Sequence, residues 1–248
     1  MKNFYCLLFI ILLSTNAKTQ NAIGFSLGYA NLKANEWNRL LDKYNSSDTV
    51  ISKQPKIKHM PLATVVYERK MTEYLYVQGY LSFGYSSSTS KQNGDLKWEI
   101  LAPGAGLNIN WYPFKMIKGT SKTPLNPLLL QFTGAGNYFK QSLTLNGQEA
   151  ISAQLANYKT SNFSFLVGGG VGYDLHFGKR IVVQTVFDFH FSPAIDMPDL
   201  LYFIPNAENL GYHTQTSYTS IGGKINILFL FKGRGKRNNI NSKKSMFS

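Results

Sequence analysis

The chain has 248 residues, 44% of them hydrophobic, 14% aromatic and only 16% charged. That is room for one sizeable domain, but too little charge to clothe a soluble one so rich in aromatics, so part of the outer surface is expected to face something other than water. A formal net charge of +13 would suit a nucleic-acid binder, but the start of the chain reads as an export signal, which excludes nucleic acid as a partner.

Met1 and Lys2 precede an apolar run from Phe4 to Leu13 and then Ser14, Thr15, Asn16 and Ala17. This is the charged, apolar and cleavage order of a secretory signal peptide, residues 1–19, with cleavage expected after Ala17 or Thr19. The apolar run falls well short of the roughly 20 residues of a spanning helix, and no later stretch approaches that length without Gly or polar residues. Cys6, the sole cysteine, lies inside the signal.

Strict alternation begins directly afterwards. Ile23, Phe25, Leu27 and Tyr29 alternate with Gly24, Ser26, Gly28 and Ala30, which predicts a strand with one apolar and one bare face. In the connection that follows, Trp37, Leu40, Leu41 and Tyr44 stand at helical spacing, with Arg39, Asp42 and Lys43 opposite. This predicts a short amphipathic helix over 35–44 packing on a barrel rim. A weaker strand is expected over 61–69. From Tyr74 to Ser86, Leu75, Val77, Leu81, Phe83 and Tyr85 share one face with Gly79, opposite Tyr76, Gln78, Tyr80, Ser82 and Gly84. Further strands are expected over 96–112 and 128–140.

Two long runs follow. Phe163, Phe165, Val167, Val171, Tyr173, Leu175 and Phe177 are separated by only Gly178, Lys179 and Arg180 from Ile181, Val183, Phe187, Phe189 and Phe191, which predicts a tight hairpin. The last strand carries Ile221, Ile225, Ile227, Phe229 and Phe231 on one face. The result is eight strands over residues 20–231. Long connections after the first, third, fifth and seventh alternate with shorter ones.

The expected fold is therefore all-β: a single antiparallel transmembrane β-barrel of about eight strands, with short periplasmic turns and long extracellular loops. A secreted soluble sandwich or barrel would carry Lys, Glu and Asp on its second face, whereas here that face is Gly, Ser, Asn, Gln and Tyr. Tyr67, Tyr74, Trp111, Tyr112, Phe177 and Phe231, with Phe114, are expected to form the periplasmic aromatic girdle. With the apolar faces outward, Glu68, Asp174, His176, Asp188, His190 and Lys224 point into the lumen with Gln78, Asn108, Gln131 and Asn226. An eight-stranded barrel is just wide enough to be filled by its side chains, so these groups are expected to pair as a polar network.

The strand pattern, the run Tyr67 to Lys70 and the run Asn110 to Phe114 resemble the outer-membrane β-barrel proteins common in Bacteroidetes, often labelled porin-like. The resemblance implies an outer-membrane location in a Gram-negative cell envelope and this fold, without naming an activity. Two alternatives stand beside a non-enzymatic structural or surface-interaction role. His190 and Ser192, with Glu208 downstream, resemble the His-x-Ser stretch and later acid of outer-membrane lipid A deacylases. A hydroxyl, a base and an orienting acid are what nucleophilic hydrolysis needs. Pro193 stands where those enzymes usually have Asn. A narrow small-solute pore is the second alternative.

After the last strand, Lys232, Arg234, Lys236, Arg237, Lys243 and Lys244 lie in a Gly- and Asn-rich segment, 232–248. A disordered periplasmic tail is expected there, able to touch anionic envelope components. Outer-membrane lipids and lipopolysaccharide are the expected partners. No cofactor and no metal is expected, because no phosphate loop or cluster of metal ligands is present.

Overall fold

A computed structural model describes residues 20–33, 35, 38, 39, 42, 45, 46, 55–89, 96–117, 123–145, 157–196 and 215–232. Among the described residues there are ten strands: β1 (Gln20–Leu32), β2 (His59–Lys70), β3 (Leu75–Thr89), β4 (Leu96–Trp111), β5 (Leu128–Leu145), β6 (Asn157–Phe177), β7 (Ile181–Phe191), β8 (Ala194–Asp196), β9 (Gln215–Ser217) and β10 (Ser220–Lys232). Eight of them close a barrel in the order β1-β10-β7-β6-β5-β4-β3-β2, and β8 pairs with β9 as a separate ribbon. Every pairing is antiparallel. The signal segment, the apolar residues of the 35–44 segment, Glu208 and residues 233–248 lie outside the described residues.

Closure follows from register. β1 pairs with β2 on one side and with β10 on the other, from Gln20 opposite Lys232 to Leu32 opposite Ser220, so neither end of the sheet is left as an edge. Close packing of strands sets the bare face. A Cβ on Gly168 would stand 2.3 Å from the Phe189 carbonyl oxygen, and one on Gly24 would stand 2.1 Å from that of Ile227, so only glycine fits. At the β6–β7 turn, Gly178 takes φ 65°, a conformation that other residues adopt at a cost.

The side-chain directions follow the alternation. Leu27, Val65, Leu81, Phe132, Phe165, Val167, Phe187 and Ile225 are all more than half exposed on the outside, in a continuous apolar wall. A soluble molecule does not display a wall of this extent to water, and a spanning barrel requires one about 25 Å tall.

Strands grow longer toward the middle of the chain, from 13 residues in β1 to 21 in β6. At about 3.3 Å per residue and a tilt near 40°, 13 residues already cross the hydrocarbon, so the 18 residues of β5 and the 21 of β6 project beyond it. β5 reaches Leu145 and β6 starts at Asn157, further than the alternation of 128–140 and 163–177 indicated. Gln141, at an inward position, and Ser142, at an outward one, are both polar, because past the bilayer no apolar outer face is demanded. The connection after the seventh barrel strand is also not plain loop, since β8 and β9 pair there.

In and just after the segment predicted to be an amphipathic helix, Asn35, Asn38, Arg39, Asp42 and Asn45 have helical backbone. Trp37, Leu40, Leu41 and Tyr44 lie outside the described residues. Asn38 exchanges two hydrogen bonds of 3.0 Å with the backbone of Ile57, which ties this segment to the barrel mouth.

The outer wall makes a direct prediction. Phe187→Arg, at mid-strand on the lipid side, should cost about 2–4 kcal/mol in urea unfolding from lipid vesicles. Lys179→Ala in the β6–β7 turn should change stability by less than about 0.5 kcal/mol.

Candidate functional site

Among the described residues, the barrel interior gathers polar groups away from water, and its side chains come from the inward positions of all eight barrel strands. Near the periplasmic end, Glu68 on β2 accepts hydrogen bonds from Gln78 (3.3 Å) and Asn110 (3.1 Å). Gln131 donates to Asn110 (2.8 Å), Asn108 to Gln78 (2.7 Å) and Thr133 to Asn108 (2.8 Å). Four neighbouring strands thus share one chain of amide, hydroxyl and carboxylate groups. Hydrogen bonds of this kind offset much of the cost of burying these groups, although the Gln131 side-chain oxygen has no partner among the described residues.

A second network lies across the lumen. Asp174 accepts from the Tyr112 hydroxyl (2.5 Å) and from Gln184 (3.1 Å), and Asn226 donates to Gln184 (2.6 Å). Above it, the Lys224 ammonium stands 3.0 Å from one Asp188 oxygen, while His190 Nδ1 is 3.9 Å from the other. The remaining wall is apolar: Ala22, Val66, Val182 and Leu228 pack together with Tyr80 and Leu230 against them.

Both mouths are stopped by rings. On the periplasmic side Tyr76 and Tyr112 lie 5.0 Å apart, and Lys115, from the short 3-10 turn Pro113–Met116, sits 3.5 Å over the Tyr112 ring and 5.1 Å over Tyr76. Burial holds the Lys115 pKa below the ordinary lysine value, against the attraction of Asp174 and Glu68. On the extracellular side Phe139 and Tyr218 stack at 4.6 Å, beside buried Trp98, Ile100, Leu32, Ile57 and Ile195. Ser86 and Ser88 donate to the carbonyls of His59 and Pro55, drawing the 55–58 segment over this roof. Between the stoppers lies a cavity of about 80 Å³, lined in part by Asp188, His190, Lys224, Tyr80 and Asn137. It has room for several water molecules.

Several sequence expectations meet this geometry differently. Glu68, Asp174, Asp188, Gln78, Asn108, Gln131 and Asn226 are buried inside, with Lys224 and His190 partly so. His176 shares their parity but is exposed, because its partner across the ladder is Val182, one residue into β7, at the periplasmic rim. Tyr112 is not a girdle residue. It is 1% exposed and lies inside, since it continues the inward parity of Asn108 and Asn110. Tyr67, Tyr74, Trp111, Phe177 and Phe231 stand outside. The roof residues Trp98, Ile100 and Phe139 are not among the expected lumen residues, although each holds an inward position on its strand.

His190 and Ser192 both turn inward but do not meet. The His190 ring lies toward Asp188, while the Ser192 hydroxyl shares a 3.0 Å contact with Ser164 and donates to the Pro193 carbonyl at 3.0 Å. Ser217 donates to the Ser192 carbonyl (2.7 Å), so this serine fastens the β8–β9 ribbon to the barrel. Glu208 lies outside the described residues. Among the described residues no group of three or more His, Cys, Asp or Glu is placed to hold a metal.

A closed eight-stranded antiparallel barrel with an apolar wall and a polar interior is an outer-membrane β-barrel. No protein-family model matches the sequence, and no curated protein matches it. Similar solved structures include the attachment invasion locus protein Ail of Yersinia pestis, 10% identical over 87% of this chain and 100% of that one, with a TM-score of 0.43. Neisserial surface protein A is 7% identical over 86% and 97%, with a TM-score of 0.41. OprG from Pseudomonas aeruginosa is 11% identical over 87% and 96%, with a TM-score of 0.40. The membrane assignment rests on the apolar wall itself.

The buried ion pair is the most sensitive point of the interior. Asp188→Asn leaves the Lys224 ammonium without its counter-charge and should cost about 3–5 kcal/mol, whereas Asp188→Leu combined with Lys224→Met should recover most of that loss. Urea unfolding of the refolded variants in lipid vesicles measures both.

Proposed function

We propose that this chain is a non-enzymatic barrel of the Gram-negative outer membrane, exported by residues 1–19, that acts as a structural element and through its extracellular surface. The observation that carries this reading is the filled lumen: among the described residues, aromatic stoppers at both mouths with a cavity of about 80 Å³ between them. The projecting ends of β3 to β6, with the β8–β9 ribbon, supply the surface for interaction. Outer-membrane lipids and lipopolysaccharide are its partners, and residues 232–248 offer basic groups to anionic components on the periplasmic side. The Bacteroidetes porin-like resemblance, on Tyr67 to Lys70 and Asn110 to Phe114, supports the same location.

Reconstituted in a planar bilayer, the protein should show no steady conductance. A stable current that disappears on changing Asp188 or Lys224 would make it a pore. Lipid A from cells with and without the protein should have the same mass spectrum. Loss of an acyl chain that depends on Ser192 would make it a hydrolase.

A further inference from the structure

The lipid-facing wall is not uniform. A groove of about 670 Å³ crosses it, with walls from Leu27, Tyr29, Phe187, Ile225 and Tyr173. The register explains its shape. The row Tyr29, Gly223, Phe187 and Val171 runs beside the row Leu27, Ile225, Thr185 and Tyr173. Gly223 and Thr185 are therefore diagonal neighbours, and together they form a low floor between large side chains.

Gly223 has no packing reason to be glycine. At its neighbour Gly222, a Cβ would stand 2.4 Å from the Tyr29 carbonyl oxygen, so a side chain is forbidden there. At Gly223 the nearest atom to such a Cβ is the Val186 carbonyl oxygen at 3.6 Å, an ordinary contact. A glycine inside a strand weakens it, so the open floor is a feature of the outer surface that the barrel itself does not require.

The extracellular end of the groove carries charge. His59 stacks on Tyr29 at 5.0 Å and 29°. The Leu32 amide donates to the Lys58 carbonyl (2.7 Å), so Lys58 stands opposite Leu32 and Lys33 one residue further along, both exposed at the rim above Tyr29. The ion pairs among the described residues join Lys56 to Asp42, Lys97 to Glu99, and Lys224 and His190 to Asp188. Lys33, Lys58 and His59 have no carboxylate partner among the described residues.

We infer that this groove is a lipid site, holding an acyl chain of a phosphorylated, multiply acylated glycolipid of the outer leaflet, whose phosphate is met by Lys33, Lys58 and His59. The inference rests on the outer-membrane reading above. The groove opens within the apolar wall, where hydrocarbon is the surrounding medium, and its size falls within the roughly 300–1,000 Å³ of ligand sites. The cationic end selects a phosphate-bearing headgroup on the extracellular side, and the shallow floor beneath Tyr29 selects a chain that descends from it.

The test uses the full-length chain refolded in detergent, with lipid A and phosphatidylethanolamine as added probes and native mass spectrometry as the readout. Wild type should hold lipid A in preference to phosphatidylethanolamine. Gly223→Leu, which fills the floor without striking the backbone, should weaken lipid A binding about tenfold, a difference of about 1.4 kcal/mol. Thr185→Leu fills the same floor from β7 and should act alike, and Lys33→Gln with Lys58→Gln should remove the preference for lipid A. All variants should keep the gel shift of the folded barrel. Unchanged lipid A binding in both floor variants would overturn the site, as would equal retention of phosphatidylethanolamine by wild type. A wild-type dimer lost in Gly223→Leu would make the groove a subunit contact instead. A wild-type chain that stays soluble without detergent would sink the membrane reading itself, a result separate from any of these.

Discussion

Hydrocarbon offers a peptide group no hydrogen-bond partner, and the rest of this structure depends on that constraint. A β-sheet can cross a membrane only if its last strand returns to its first, so that every N–H and C=O is paired within the chain. The β1–β10 ladder performs this closure over 13 residue pairs. Closing at eight strands then fixes the radius, and the radius leaves an interior only as wide as the side chains that line it. A filled lumen is thus a consequence of strand number, while the chemistry of the filling is left to the sequence.

That filling is divided by depth and by side. β2 to β5 contribute the Glu68 and Gln78 network, β6, β7 and β10 the Asp174 and Gln184 network, and the seam of β1, β2, β7 and β10 an apolar cluster. The two mouths are closed by different means. At the periplasmic end, two tyrosines are held beneath a lysine, and the Tyr112 hydroxyl donates to Asp174. At the extracellular end, where the strands project past the bilayer, stacked rings and buried aliphatic side chains form a small hydrophobic roof. The outer wall needs no such matching, since any apolar side chain suits lipid. A gap in that wall, such as the one over Gly223, is for this reason informative.

The sequence made the fold legible because alternation at period two is imposed by membrane on one side and a cramped lumen on the other. Where one of those pressures lapses, legibility falls. β5 and β6 ran further than expected because Gln141 and Thr160 lie above the bilayer, where no apolar face is demanded. The β8–β9 ribbon follows Pro193 in a stretch of mixed composition that carries no period. Parity assigns a face but not a depth, so His176 was expected inside although it stands at the rim. The aromatic character of Tyr112 and its place near the strand end suggest a girdle residue, but its parity with Asn110 points inward, where it lies. His190 and Ser192 show the reverse limit: a shared face was readable, but only the structure shows that each side chain turns to a different partner.

The central claim is that one face of every barrel strand meets lipid and the other meets a closed interior. Spin labels placed singly along β7, on a Cys6→Ser background, test it directly. In proteoliposomes, labels at positions 183, 185, 187 and 189 should be relaxed strongly by oxygen and weakly by a water-soluble nickel chelate, while labels at 184, 186 and 188 should be shielded from both. Strong relaxation by the nickel chelate at 185 and 187 would show that the apolar face meets water and would contradict the account.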